Sequence, residues 1–364
     1  MTHRMLLAAV AVIAIAVPAQ PPTKVALVHG INSNAGTWDE LASLMAGDSR
    51  FVTYRTTTAS NDYLTSQASA LNTYLGASVG ADAFLAAHSQ GGLISRWASH
   101  SYAAQAILTI GTPHGGAPIA GHVDDAAVWF TLLGVDLVTS WYTLSPILNN
   151  AFHEHYPEVF DAMGDVDWLG GYTYPGIGLA ATGMGILTSV LPSFNNDALG
   201  DLTPGSGFLG QLAAQLGNET GANRRHAIRV DVDGGYLGGV LRLGASAANA
   251  DYVGQLIVNA GYILLNSGIG IESECSPADP DWIDHQLGAA ALIDAGVNLT
   301  DFAPWWTFDI VGGYPSDMVV PFWSQGMPNF GVPDHTAKGL SHVEQTTLGK
   351  GIIRDRLVVL RSTP

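Results

Sequence analysis

Between Lys24 and Ile110 the chain repeats one pattern, a short and almost continuous apolar run that stops at a turn residue, then a longer stretch with apolar residues at helical spacing. The apolar runs cover residues 25–28, 51–54, 83–87 and 106–110. A strand that is apolar at every position must bury both faces, which is the condition of a parallel sheet covered by helices on either side. Parallel neighbours cannot be joined by a tight turn, and residues 37–46, 63–77 and the stretch from Ser89 through Trp97 to Ser99 supply helical crossovers. The class is therefore α/β, a mostly parallel sheet flanked by helices. Residues 306–311 read as one more buried strand, ahead of Gly312 and Gly313.

Residues 118–304 interrupt the rhythm. Gly, Leu, Trp and Tyr are abundant there, and helical spacing recurs near 126–140, 207–216, 248–265 and 284–295. This segment reads as a large inserted cap or lid region, which leaves the core to residues 24–117 and 305–364.

Charged residues make up 12% of the chain and hydrophobic ones 47%, which excludes a solvated, disordered polymer. A formal net charge of −17 repels phosphate backbones, so nucleic acid is not an expected partner. His3 and Arg4 precede an uncharged apolar run from Met5 to Val17, and Val17, Pro18 and Ala19 have the character of a signal-peptidase site. The run is shorter than the about 17–25 residues a spanning helix needs. Residues 1–19 thus read as a signal peptide, and a secreted location, extracellular or periplasmic, is expected. Cys275 is the single cysteine, so no intrachain disulfide can form and packing must hold the fold.

Ala87-His88-Ser89-Gln90-Gly91-Gly92 lies where an apolar strand meets a helix. A serine on so sharp a turn is lifted above the sheet edge, and small residues two before and two after it, here Ala87 and Gly91, let strand and helix approach. The next amide, on Gln90, opens the helix, where backbone donors and the helix dipole favour an oxyanion. A second donor is expected from the loop after the first strand, at Ile31 in His29-Gly30-Ile31. A serine hydroxyl is a weak nucleophile until a base takes its proton, and the base needs a carboxylate to fix its tautomer. In scaffolds of this kind the acid follows the serine and the histidine follows the acid. Asp317 lies in a loop past the expected late strand, and His342 precedes the last helical stretch, so Ser89, Asp317 and His342 are the expected catalytic residues. His335, behind the turn residues Pro333 and Asp334, ranks below His342, and Asp309, inside the expected strand, ranks below Asp317. His88 reads as a packed, hydrogen-bonded neighbour, His114 as loop-forming and His29 as fixing its own loop.

With these residues in place the sequence resembles the secreted bacterial triacylglycerol lipases of the α/β-hydrolase superfamily. Val28 to Ile31 is similar to their oxyanion loop, Ala87 to Gly91 to their nucleophile elbow, and Gly111-Thr112-Pro113-His114 through Ala117 to the segment after the next strand. Ser316-Asp317-Met318-Val319 and Leu340-Ser341-His342 are similar to their acid and histidine loops, and Asp201-Leu202-Thr203-Pro204-Gly205-Ser206 to a motif in the lid region of larger members. The resemblance implies an α/β-hydrolase fold with an inserted cap. Larger members also hold a structural calcium with help from an aspartate two residues past the histidine and a glutamine four further on. Here Glu344 and Leu348 stand at those places, which weighs against calcium. No metal ligands are assigned: Asp231 with Asp233, and Asp279 with Asp281 and Asp284, read as solvated turns, and His153-Glu154-His155 lacks a third zinc ligand.

The expected reaction is hydrolysis of a medium- or long-chain acylglycerol at a lipid–water interface, without a cofactor. An acyl chain needs an apolar channel that is costly to expose, and the aromatic segment from Val128 to Tyr142 is able to cover one; it serves equally as the core of a second subdomain. A depolymerase of aliphatic polyester or a short-chain esterase would use the same residues, and a non-catalytic carrier of apolar ligands would keep the fold.

Overall fold

The structure, a computed structural model, describes residues 20–59, 61–123, 197–220, 224–232, 242, 304–313, 315–327 and 334–363, with scattered residues between 262 and 301. Its strands are β1 (Thr23–Val28), β2 (Phe51–Arg55), β3 (Phe84–His88), β4 (Ala106–Ile110), β5 (Arg225–Asp231) and β6 (Asp334–Lys338). They form one sheet in the order β2-β1-β3-β4-β5-β6, and every neighbouring pair is parallel. The principal helices are α1 (Asp39–Ala46), α2 (Leu64–Tyr74), α3 (Gln90–Ala98), α4 (Asp197–Leu202), α5 (Gly207–Ala214), α6 (Phe322–Gln325) and α7 (Lys350–Ser362).

Side chains alternate across the sheet, and both faces are covered. Val25, Leu27, Phe84, Ala86, Leu108 and Val230 pack with Leu41 and Met45 of α1 and with Ile353, Leu357 and Leu360 of α7. Ala26, Val28, Leu85, Ala87 and Ile107 pack on the opposite side with residues of α2, α3, α4 and α5. This double burial is why β1, β3 and β4 are apolar at nearly every position.

Three features depart from the sequence reading. Residues 306–311 are not a strand: Trp306–Ile310 forms a π-helical turn with Trp306, Thr307 and Ile310 buried and Phe308 and Asp309 exposed. Inward positions one turn apart fit a helix, and a short apolar run cannot separate the two states by period alone. The sheet takes β5 instead from within 118–304, and α4 and α5 from that same segment add Leu202, Phe208 and Leu212 to the core. Residues 118–304 are therefore not one continuous excursion; they return to the core at 197–220 and 224–232. The outer strand, β6, is polar and was not expected. The helix expected at 207–216 is α5. The signal peptide expected at residues 1–19, Cys275, the aromatic segment 128–142 and most of the helices expected at 248–265 and 284–295 lie outside the described residues. No helix among the described residues is long and apolar enough to cross a membrane.

One buried ion cluster ties β5 to α3. Glu219, just ahead of β5, accepts from Arg96 at 2.9 Å and lies 3.0 Å from Arg225, and all three side chains are buried. Removing the shared carboxylate leaves two guanidinium groups facing each other without water. Glu219→Gln is expected to lower the unfolding free energy by about 3–5 kcal/mol. Urea unfolding at neutral pH checks this, and a change within about 0.5 kcal/mol would contradict it.

Candidate active site

Ser89 sits between β3 and α3 with φ 56° and ψ −134°. A non-glycine residue in that region costs about 1–3 kcal/mol, so its surroundings must enforce it. They do so from both sides. The Ser89 N–H donates to Ile110 O at 2.9 Å, which extends the β3–β4 pairing, and Ser89 O accepts from Gly92 N at 3.0 Å to start the helix. The first turn of α3 is wedged between two loops. A Cβ on Gly91 would lie 2.5 Å from His29 O and 2.7 Å from Val28 O, and one on Gly92 would lie 2.1 Å from Thr112 Oγ1. Glycine in a helix is unfavourable by itself, so these two residues are explained by close approach.

The structure brings Ser89, His342 and Asp317 into one hydrogen-bonded chain. Ser89 Oγ is 2.8 Å from His342 Nε2, and His342 Nδ1 is 2.8 Å from Asp317 Oδ2. All three are buried. The Asp317 loop docks on the end of β5, where Val232 N donates to Ser316 O at 2.9 Å, and it closes through a bridge between Ser316 and Pro321. Within it Met318 takes φ 71°, and its carbonyl accepts from the buried Trp306 indole at 3.1 Å. The carboxylate is fully occupied: Oδ1 accepts from Val319 N at 3.1 Å and Val320 N at 2.8 Å, and Oδ2 accepts from Gln345 Nε2 at 2.7 Å as well as from His342. His342 N also donates to Asp317 O at 2.9 Å, so backbone and side chains fix the two loops together.

Ile31 and Gln90 flank the serine. A Cβ on Gly30 would lie 2.8 Å from Ser89 Cβ, which places the Gly30–Ile31 backbone against Ser89. Gln90 turns its side chain into the core, where Nε2 donates to Gln67 Oε1 at 2.7 Å, and its backbone follows Ser89 at the start of α3. Ser89, His342 and Ile31 line a cavity of about 380 Å³ whose remaining walls are mostly apolar, among them Val123, Leu202 and Trp306.

The other expected candidates stand elsewhere. His335 is in β6 opposite Ile228 and accepts from Arg356 at 2.8 Å; Asp309 is exposed. His114 accepts from Arg96 Nη1 at 3.1 Å, so its proton is on Nε2, which donates to Thr109 Oγ1 at 3.1 Å and braces the loop after β4. His29 donates to Gly30 O at 3.0 Å. His88 donates from Nε2 to His342 O at 3.0 Å, its ring 4.8 Å from the His342 ring. Gln345, bonded to Asp317, carried no signal in the sequence; only the fold brings it there.

Calcium does not fit at Glu344. Its Oε2 accepts from Ser341 N at 2.8 Å and lies 3.8 Å from Arg242 Nη1, which also donates to Gly339 O at 3.0 Å. A divalent ion there would meet a guanidinium, and among the described residues no three His, Cys, Asp or Glu side chains gather to hold a metal. Asp233, Asp279, Asp281, Asp284 and residues 153–155 lie outside the described residues.

No protein-family profile and no curated protein matches the sequence. Among solved structures the chain is similar to the mature form of a Bacillus licheniformis lipase, at 15% identity over 94% of this chain and 93% of that one, with a TM-score of 0.48. It is also similar to a hydrolase of Pseudomonas aeruginosa, at 12% identity over 95% and 92% of the two chains, TM-score 0.38. An extracellular α/β-hydrolase of a Paenibacillus species matches 28% of this chain and 46% of its own at 23% identity, TM-score 0.25. A parallel sheet in this strand order, with a serine elbow after its third strand and a histidine loop after its sixth, is an α/β-hydrolase fold.

Burial drives the imidazolium of His88 well below its ordinary range, and the neighbouring His342 adds to the effect. Burial does the same to His114, helped by Arg96, Arg225 and Arg229. The unfolded chain takes up both protons near the ordinary value of 6.5 and the folded chain does not. The unfolded state therefore binds more protons on the acid side, and stability complete above that value is lost as pH falls through it. The urea midpoint is expected to fall between about pH 7.5 and pH 5.5, and a constant midpoint would contradict this.

Proposed function

We propose that this protein is a secreted serine ester hydrolase that cleaves carboxylic esters of medium- or long-chain acids, acylglycerols foremost. The observation that carries the reading is the pair of 2.8 Å hydrogen bonds linking Ser89 Oγ, the His342 ring and Asp317 at the edge of an apolar cavity. The Asp317 carboxylate only accepts, so the ring proton of His342 is on Nδ1 and Nε2 faces the Ser89 hydroxyl as a base. In the proposed reaction Nε2 takes the hydroxyl proton as Oγ bonds to the ester carbonyl carbon. The amides of Ile31 and Gln90 receive the negative oxygen, and Asp317 stabilises the charged ring. His342 then returns the proton to the departing alcohol, leaving an acyl group on Ser89. Water repeats the sequence: His342 takes its proton, hydroxide adds to the acyl carbon, and Ser89 leaves with the proton. No metal or organic cofactor takes part.

Support for an apolar acid comes from the cavity walls. Support for action at a lipid–water interface comes from Val343 and Leu348, exposed on the segment that carries His342; Val343 also lines the cavity. The run from Met5 to Val17 supports export.

Initial rates on p-nitrophenyl esters of increasing acyl length and on emulsified triacylglycerol test the reading. Rates are expected to rise from acetate toward longer chains, and Ser89→Ala and His342→Ala are each expected to lose about 10,000-fold or more in kcat. Full activity in Ser89→Ala would overturn the serine mechanism. Activity confined to short soluble esters would mark a short-chain esterase, preferential release from an aliphatic polyester a depolymerase, and binding without turnover a carrier.

A further inference from the structure

Asp317 Oδ2 accepts two hydrogen bonds, one from the His342 ring and one from Gln345. The second has a fixed sense. A carboxylate offers only acceptors, so the amide nitrogen of Gln345 must be the group that faces it at 2.7 Å. Gln345 is itself seated: it is buried, and the loop after β4 leaves room for its amide only because residue 111 is glycine. A Cβ on Gly111 would lie 2.2 Å from Gln345 Oε1 and 2.7 Å from Nε2, and Gly111 has φ 54°. The Gln345 side chain also reaches His88, which donates to the His342 carbonyl. Two buried side chains that are not part of the proton path thus brace the pair, Gln345 on Asp317 and His88 on His342.

We propose that Gln345 is a positioning residue for ester hydrolysis, holding Asp317 Oδ2 against His342 Nδ1 and setting the basicity of the His342 ring. This rests on the reading of Ser89, His342 and Asp317 as the reacting groups. A donor on Oδ2 draws on the same negative charge that stabilises the His342 imidazolium. Without that donor Asp317 pulls harder on the ring proton, the ring becomes more basic, and the acid limb of the rate profile moves up. The other groups facing the ring are His88, held neutral by burial, and the Ser89 hydroxyl; the charged pair Glu344 and Arg242 lies two residues along the loop.

The experiment is the pH dependence of kcat/KM on a soluble p-nitrophenyl ester for the wild type, Gln345→Met and Gln345→Lys. Met keeps the side-chain length and removes the donor, whereas Lys keeps a donor and adds positive charge beside Asp317. The acid limb is expected to move up by roughly 0.5 unit or more in Gln345→Met and down in Gln345→Lys. In Gln345→Met kcat should fall about tenfold or more with KM little changed. The position of the limb does not depend on the active fraction, so a partly folded preparation still reports it. Should one variant give no active protein, the sign of the shift in the other decides. An unmoved limb, or shifts of the same sign in both variants, would overturn the proposal. Ester hydrolysis that survives Ser89→Ala would instead defeat the underlying reading, which keeps the two failures apart.

Discussion

The backbone at Ser89 holds a conformation that a side chain resists, and the site depends on how that strain is contained. The sheet fixes one end, where the Ser89 amide pairs with β4, and the helix α3 fixes the other. Neither would suffice if α3 stood at an ordinary distance from the strands. Gly91 lets its first turn touch the carbonyls of Val28 and His29, and Gly92 lets it touch Thr112. The loop after β1 and the loop after β4 are then built against the same turn. The first carries Ile31 and the second carries Gly111, the seat of Gln345, so the surroundings of Ser89 and of Asp317 are set by one close approach.

Charge is handled sparingly and in the interior. A chain with 12% charged residues places several of them out of contact with water, each with its partners built in. Asp317 meets four donors, and Glu219 meets two guanidinium groups. His88 and His114 are kept neutral by burial, so each presents a defined pattern of donor and acceptor and works as a brace. Among the described histidines only His342 has a carboxylate on one ring nitrogen and a serine hydroxyl on the other.

What could be read in the sequence follows from burial. β1, β3 and β4 are apolar on both faces, so their positions are legible, and the serine turn is legible because small residues flank it between a strand and a helix. The order of serine, acid and histidine then pointed to Asp317 and His342. β5 escaped because arginine stands at 225 and 229 and histidine at 226: Arg225 is buried in an ion cluster, and Arg229 lies over the Phe322 ring at 5.1 Å. A strand whose charged side chains are met by partners outside it, Glu219 just ahead of it and the Phe322 ring, does not look like a core strand. β6, at the sheet edge, has the same difficulty. Trp306–Ile310 carries the opposite ambiguity, apolar enough for a strand but buried at helical positions. Gln345 could not be found at all, because its meaning comes from Asp317 and Gly111, which only the folded chain brings beside it.

The most direct test is chemical. Incubation with diethyl p-nitrophenyl phosphate, followed by mass mapping of peptides, reads which hydroxyl the fold has activated. If the His342 ring draws the proton from Ser89 as the distances imply, a single phosphoryl adduct should form on Ser89, and His342→Ala should prevent it. An adduct on another residue, or labelling of Ser89 that persists in His342→Ala, would contradict that claim.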